Sequence, residues 1–303
     1  MARQKAILFF LGALAWAVLV MAVVIYLFFP YQKALKIALQ NVVAGGRSAV
    51  SIEGVTRRPM GIKASRLLFR PAGSTGQGPP FELSNIDIFW NPLSLIRGKL
   101  TIYAKTELYD GTLHFTIEGA PVMSPSNSTI SLRLEHVNIA KCPEGAVPWL
   151  KGISGILDGT VKKVIPAGRP DRQLGSFRLF LRGGEVKDIQ IRNLPRLIIP
   201  YKEIVLEGRI EGARIDVKRV TLTSDDISLT GTGMVDTEGS EHALDMKLSY
   251  EVLSKAFPLK GKGTILVSGN QAAPVVTISE PGQAGPVGAG EGPPSRGLTK
   301  QGG

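Results

Sequence analysis

The chain of 303 residues has one cysteine and three histidines, so several chemistries drop out at once. The lone Cys142 excludes an intramolecular disulfide, and with it a small disulfide-stapled fold. A single cysteine suits a bacterial envelope protein better than a eukaryotic ectodomain. His114, His136 and His242 are isolated in sequence; there is no HExxH and no second ligand at metal spacing. Nucleophile elbow, Walker A loop and dinucleotide fingerprint are missing too, and Gly231-x-Gly233 falls inside a strand pattern. Lys141-Cys142-Pro143 reads as a loop, and Asp225-Asp226 as a turn held by side-chain capping. The expectation is a chain with no catalytic residues, no metal and no cofactor.

Acidic residues are also short. Thirty-six Lys and Arg face twenty-five Asp and Glu, a net charge of +11. The basic residues are spread along strands rather than interleaved with stacking aromatics, so no nucleic-acid partner is expected.

The longest absence is of charge: no charged side chain occurs between Lys5 and Lys33. About 20 apolar residues in a helix cross a bilayer, so residues 6–30 are expected to form a transmembrane helix. A cleaved signal peptide fits less well, because the run is too long and Leu27-Phe28-Phe29-Pro30 offers no small pair for cleavage. Arg3 and Lys5 put a cytoplasmic stub at 1–5 and export the rest, giving a single-pass protein of the inner membrane with its bulk in the periplasm. Residues 31–45 read as a short juxtamembrane helix, with Leu35, Leu39, Val42 and Val43 on one side and Gly45-Gly46 as its stop.

From about residue 46 the period becomes two. Leu113, Phe115 and Ile117 alternate with polar residues, as do Ile130, Leu132 and Leu134, and later Leu244, Met246, Leu248 and Tyr250. One-sided strands of this kind predict a mainly β body over 46–278, a long, twisted antiparallel sheet with few short helices. Two strands slip phase, predicting β-bulges near His136 and near Lys218-Arg219. Asp110-Gly111, Asp158-Gly159 and Gly183-Gly184 read as hairpin turns, and Asn91-Pro92 as the capped start of a helical turn. A sub-boundary is expected at 141–151, and a Gly/Pro-rich disordered tail over 279–303.

Whether the sheet closes on itself as a sandwich or curls into an open groove stays undecided by alternation alone, although the many glycines incline the reading to a groove. The candidate groove face is Leu113, Phe115, Ile117, Ile130, Leu132 and Leu134. Arg57, Arg58, Lys63, Arg66 and Arg70 form the densest basic cluster, either a solvated strand face or a set of contacts to lipid head groups.

An apolar anchor followed by Phe29-Pro30-Tyr31, then Arg58-Pro59-Met60-Gly61-Ile62, resembles protein N of the general (type II) secretion pathway, in the long form of delta-proteobacteria. Further matching pieces are Ile88-Phe89-Trp90-Asn91-Pro92 with the Gly98-Lys99-Leu100 return, and Leu157-Asp158-Gly159-Thr160-Val161. Leu206–Gly212, Leu229–Gly233 and the Leu259–Ile278 finish complete the set. The glycine rhythm is similar to that of AsmA-like repeats. The resemblance implies a non-enzymatic component of the type II secretion machine, with the lipid bilayer and other secretion subunits as partners. The AsmA likeness implies an alternative, a lipid-binding or lipid-transport protein holding phospholipid or lipopolysaccharide.

Overall fold

Alternating strands that bury one face need neighbours on both edges, and here they find them in sequence order. The computed structural model describes positions 16 and 20 and most of 49–279; outside it lie 59, 71–80, 92, 95–96, 120–126, 144–151, 168, 170–171, 190–196, 237–242, 256, 260 and 271–272. Within it run β1 (Ala49–Glu53), β2 (Thr56–Arg58), β3 (Gly61–Arg70), β4 (Phe81–Trp90), β5 (Leu100–Leu108), β6 (Gly111–Gly119), β7 (Ser128–Asn138) and β8 (Ile156–Ile165). These are followed by β9 (Leu174–Ile189), β10 (Leu197–Glu211), β11 (Arg214–Thr223), β12 (Ile227–Asp236), β13 (Ala243–Val252), β14 (Lys262–Asn270) and β15 (Ala273–Ser279).

All fifteen strands belong to one open antiparallel sheet, and from β3 to β15 each strand pairs with the next in the chain. The sandwich alternative is therefore set aside: the described strands form one layer, in which β15, β1 and β2 have no further strand beside them among the described residues. The last two both pair with β3 and form one edge interrupted at Gly54. β7 pairs with β8 across 141–151, so the hydrogen-bonded sheet is continuous there. Among the described residues of 49–279, helix is confined to a turn at Leu93 and Ser94 and to the 3₁₀ segment Ile139–Lys141. Asn91 caps the first of these, its Oδ1 accepting the Leu93 N–H at 3.0 Å.

The expected span at 6–30, the helix at 31–45 and nearly all of the 279–303 tail lie outside the described residues. Trp16 and Val20 are the exceptions, helical and exposed. Among the described residues no helix is long and apolar enough to cross a membrane.

Both phase slips are bulges. The β7–β8 register shifts between Leu134 and Val137, with His136 at φ 56°. Around Lys218-Arg219 the register shifts against both β10 and β12. The extra residue at His136 leaves a backbone N–H without a ladder partner, and the Asp158 carboxylate accepts it at 2.8 Å. Asp158 is also 3.6 Å from Arg182. Asp158→Ala is expected to cost about 0.5–1.5 kcal/mol by removing that exposed hydrogen bond, with Asp158→Asn recovering most of it. Urea titrations of the two variants test this, and equal losses would show that the acceptor is immaterial.

The hairpin readings fare differently. The β5–β6 turn is built by Tyr109 and Asp110, at φ 48° and 66°, one residue earlier than Asp110-Gly111. Asp158-Gly159 is not a turn but lies inside β8, and Gly183-Gly184 lies inside β9. At Gly184 a Cβ would stand 1.9 Å from the Ser154 carbonyl oxygen, so glycine serves close backbone approach there. Asp225-Asp226 does sit at the β11–β12 turn, but the capping oxygen is the Ser224 hydroxyl, which accepts the Asp226 N–H at 3.2 Å.

The main core gathers at one end of the sheet. Val137, Leu181, Leu222, Ile227 and Tyr250 from five strands pack with Leu197, Ile199 and Tyr201 of β10 and with Ile139, Phe257 and Leu259 from connections. A smaller cluster, Ala64, Leu67 and Ile86, serves β3 and β4.

Candidate functional site

Successive side chains of a strand point to opposite faces, so in-register pairing stacks like with like across a sheet. The six face residues named from alternation meet as three cross-strand pairs: Leu113 with Leu134, Phe115 with Leu132, and Ile117 with Ile130. The row through Phe115 continues in both directions. It reads Ile62, Ile88, Ala104, Phe115, Leu132, Val161, Phe177, Gly208, Val217, Gly233, Met246, Val267 and Val276, one residue from each strand β3 to β15. No polar side chain interrupts it. At a strand spacing of about 4.8 Å the row is about 60 Å long.

One residue along, the opposite face reads Lys63, Asp87, Lys105, His114, Arg133, Thr160, Arg178, Glu207 and Arg219. It is knit by exposed ion pairs such as Arg133–Glu135 at 2.8 Å and Arg178–Glu207 at 2.6 Å. His114 is 3.4 Å from the same Glu135, which makes it part of this surface ladder. Phe180 and Val205, apolar residues on the polar side, are cross-strand partners. Phe180 lies under the guanidinium groups of Arg178 and Arg182, 4.9 and 5.5 Å from its ring centre.

Burial along the apolar face is graded. At the core end Leu181, Leu222 and Tyr250 are buried beneath Ile139, Phe257 and Leu259. The six residues on β6 and β7 are half-buried, shielded by lateral neighbours on the sheet. The row Ile102, Ile117 and Ile130, nearest the opposite end, holds no buried residue. Among the described residues the apolar face is thus stopped at one end and has no covering connection toward the other. Sequence reasoning missed the members that lack a conspicuous side chain, Gly208 and Gly233, and those on β3 and β4, Ile62 and Ile88. It also missed the stopper residues, whose signal is an apolar pair inside a polar connection, Phe257 and Leu259 around Pro258.

The basic cluster does not converge. Arg57, Arg58 and Lys63 stand at the β2–β3 hairpin, while Arg66 lies farther along β3 and Arg70 at its other end, about 30 Å away at strand rise. Arg58 is 3.4 Å from Asp87. Arg66 is committed to Glu82 through two contacts of 2.7 and 2.8 Å. That hydrogen bond holds the Glu82 carboxyl below its ordinary range and raises the Arg66 guanidinium. Both groups are exposed, so the pair is a weak structural contact. The Arg70 side chain lies outside what is described.

Cys142 is half-buried beside Tyr109, and burial pushes its thiol pKa up, against the thiolate that nucleophilic chemistry needs. Among the described residues no group of three or more His, Cys, Asp or Glu is placed to hold a metal ion.

Comparisons with protein-family models, with curated proteins and with solved structures found no match to this chain.

Proposed function

We propose that the chain is a non-enzymatic envelope protein, anchored in the inner membrane with its sheet in the periplasm, that serves the type II secretion machine as the sequence resemblance implies. The open edges at β1 and β15 support this role, since their unpaired N–H and C=O groups can take a partner strand from another subunit.

A second reading, AsmA-like lipid carriage, is favoured by one specific observation. This is the uninterrupted apolar row from Ile62 to Val276, half-buried except at the buried Gly208 and Val217, on a face that is stopped at its core end and backed by charges. A contiguous apolar surface of this size needs an apolar occupant in water. An acyl chain laid across the strands meets only methyl, methylene and ring surface, while a head group stays near the polar rim. The two readings are compatible, because a secretion component can hold lipid.

Purification of the full chain in mild detergent, followed by lipid mass spectrometry, separates them. Phospholipid or lipopolysaccharide recovered at near-stoichiometric amount is the result expected for lipid carriage. A lipid-free sheet that co-purifies with secretion subunits would reduce the function to a scaffold, and a lipid-free sheet with no such subunits would reject both.

A further inference from the structure

At the end of the sheet away from the main core, two connections carry apolar side chains into solvent. Met60 in the β2–β3 turn is 53% exposed, Phe89 and Trp90 at the end of β4 are 47% and 39% exposed, and Leu93 is 66% exposed. The connections are tied together. The Trp90 N–H donates to the Met60 carbonyl at 3.0 Å, the Asn91 N–H donates to the Thr101 carbonyl at 3.1 Å, and Phe89 stacks on Tyr103 with ring centres 5.1 Å apart. Phe89 and Trp90 are consecutive in a strand and so face opposite sides. The polar side is charged over most of its length, with Phe180 and Val205 and, on β14 and β15, Leu266 and Val275 as apolar exceptions; at this tip both sides are aromatic. A sheet end surrounded by water gains nothing from that arrangement, whereas an end embedded in an interface does.

Charge points the same way. Residues 54–81 and 88–106 contain no Asp or Glu, and although Asp87 lies 3.4 Å from Arg58 and Glu118 stands opposite Thr101, the exposed Arg57, Arg58, Arg97 and Lys99 leave the tip net positive. Aromatic rings with a basic surround match the head-group layer of an anionic bilayer. The uncharged run 6–32 supplies a membrane for the tip to meet, and residues 33–48, fully extended, reach at most about 55 Å.

We propose that the tip bearing Met60, Phe89, Trp90 and Leu93 inserts into the head-group layer of an anionic phospholipid bilayer. Trp90 pairs with Ile102, and the row continues through Ile117 to Ile130, so insertion would set the uncovered end of the apolar face against acyl chains. That consequence rests on the lipid-holding reading; the insertion itself does not.

The test uses the full chain reconstituted in phosphatidylcholine vesicles with and without phosphatidylglycerol, the acyl chains brominated as quenchers. The reporter is Leu93→Trp in a background of Trp16→Phe, Trp90→Phe and Trp149→Phe, placed on the 91–99 connection rather than on the apolar face. Fluorescence is expected to fall severalfold in vesicles containing phosphatidylglycerol, and much less after Arg57, Arg58, Arg97 and Lys99→Gln. No quenching by brominated chains, while Trp16 kept as sole tryptophan is quenched, would overturn the proposal. A reporter shielded from aqueous acrylamide yet untouched by bromine would also overturn it, in favour of a protein partner or a second copy of this chain. Adding Phe115→Asp separates the two ideas: quenching that persists while recovered lipid falls supports insertion independently of lipid carriage, and lipid recovered without quenching rejects insertion alone.

Discussion

Phe115→Asp is expected to strip bound lipid from the purified protein while leaving the sheet folded. Phe115 sits near the middle of the apolar face between Ala104 and Leu132, with Leu113 and Ile117 on the same side of its own strand. It is half-buried, so truncation to Ala should cost about 1–2 kcal/mol, well short of the 3–5 kcal/mol typical of a fully buried phenylalanine. A carboxylate at this point is different in kind. An acyl chain crossing it would have to desolvate a charge set among Ala104, Leu113, Ile117 and Leu132, with Lys163, opposite Ile130 and two strands away, as the cation on that face, a penalty far above the contact energy of the chain segment. Lipid mass spectrometry should therefore find near-stoichiometric lipid on the parent and little on Phe115→Asp. Thr116→Asp is the matched control: it lies one residue along on the polar face, between Tyr103 and Ser131, and should keep its lipid. Equal lipid on the parent and on Phe115→Asp would remove the apolar face from the function. If Phe115→Ala instead cost the full core value, the face would be the interior of a closed body and not a surface.

The largest stability effect is expected at the stopped end. Ile227 is 1% exposed, the first residue of β12, packed in the cluster with Leu222, Tyr250 and Phe257. Its backbone is held by the turn before it: the Ser224 N–H donates to the Ile227 carbonyl at 3.1 Å, and the Ser224 hydroxyl donates to the Pro200 carbonyl at 2.5 Å. With the backbone pinned, the site cannot collapse around a smaller side chain. Ile227→Ala should then lose about 2–5 kcal/mol through transfer energy and a residual cavity. A urea titration of the full chain in mild detergent, followed by far-UV circular dichroism, gives the value. A loss below about 1 kcal/mol, the range of exposed substitutions, would show that the stopper is loosely packed and that the face is open at both ends.

The contrast between these two positions bears on what alternation tells. Both are apolar residues in one-sided strands, and nothing local separates Ile227 from Phe115. What separates them is Phe257 and Leu259, about thirty residues downstream of Ile227, together with Ile139 from the β7–β8 connection, all of which cover one end. The basic cluster fails for a similar reason. Arg57 to Arg70 are neighbours in sequence, but an extended strand carries them apart at about 3.3 Å per residue. Proximity in a strand sequence is not proximity in space.

By itself the sequence determined the mainly β character, the in-and-out assignment along β6, β7 and β13, and the bulges at His136 and Lys218-Arg219. Each of these follows from a period of two, and a single extra residue necessarily flips that period. The dipeptides Asp158-Gly159 and Gly183-Gly184 were ambiguous, because glycine serves a turn and a close backbone approach equally well, and only the presence of the Arg178 and Ser154 carbonyls decides between them. Tertiary structure alone decided that fifteen strands make one open layer and not two, and that the rows line up without a polar interruption from Ile62 to Val276. It alone decided that one end is stopped. Register across strands depends on turn lengths and bulges summed over the whole chain, and burial depends on which distant connection folds over a face. Neither quantity is a property of any local window of residues.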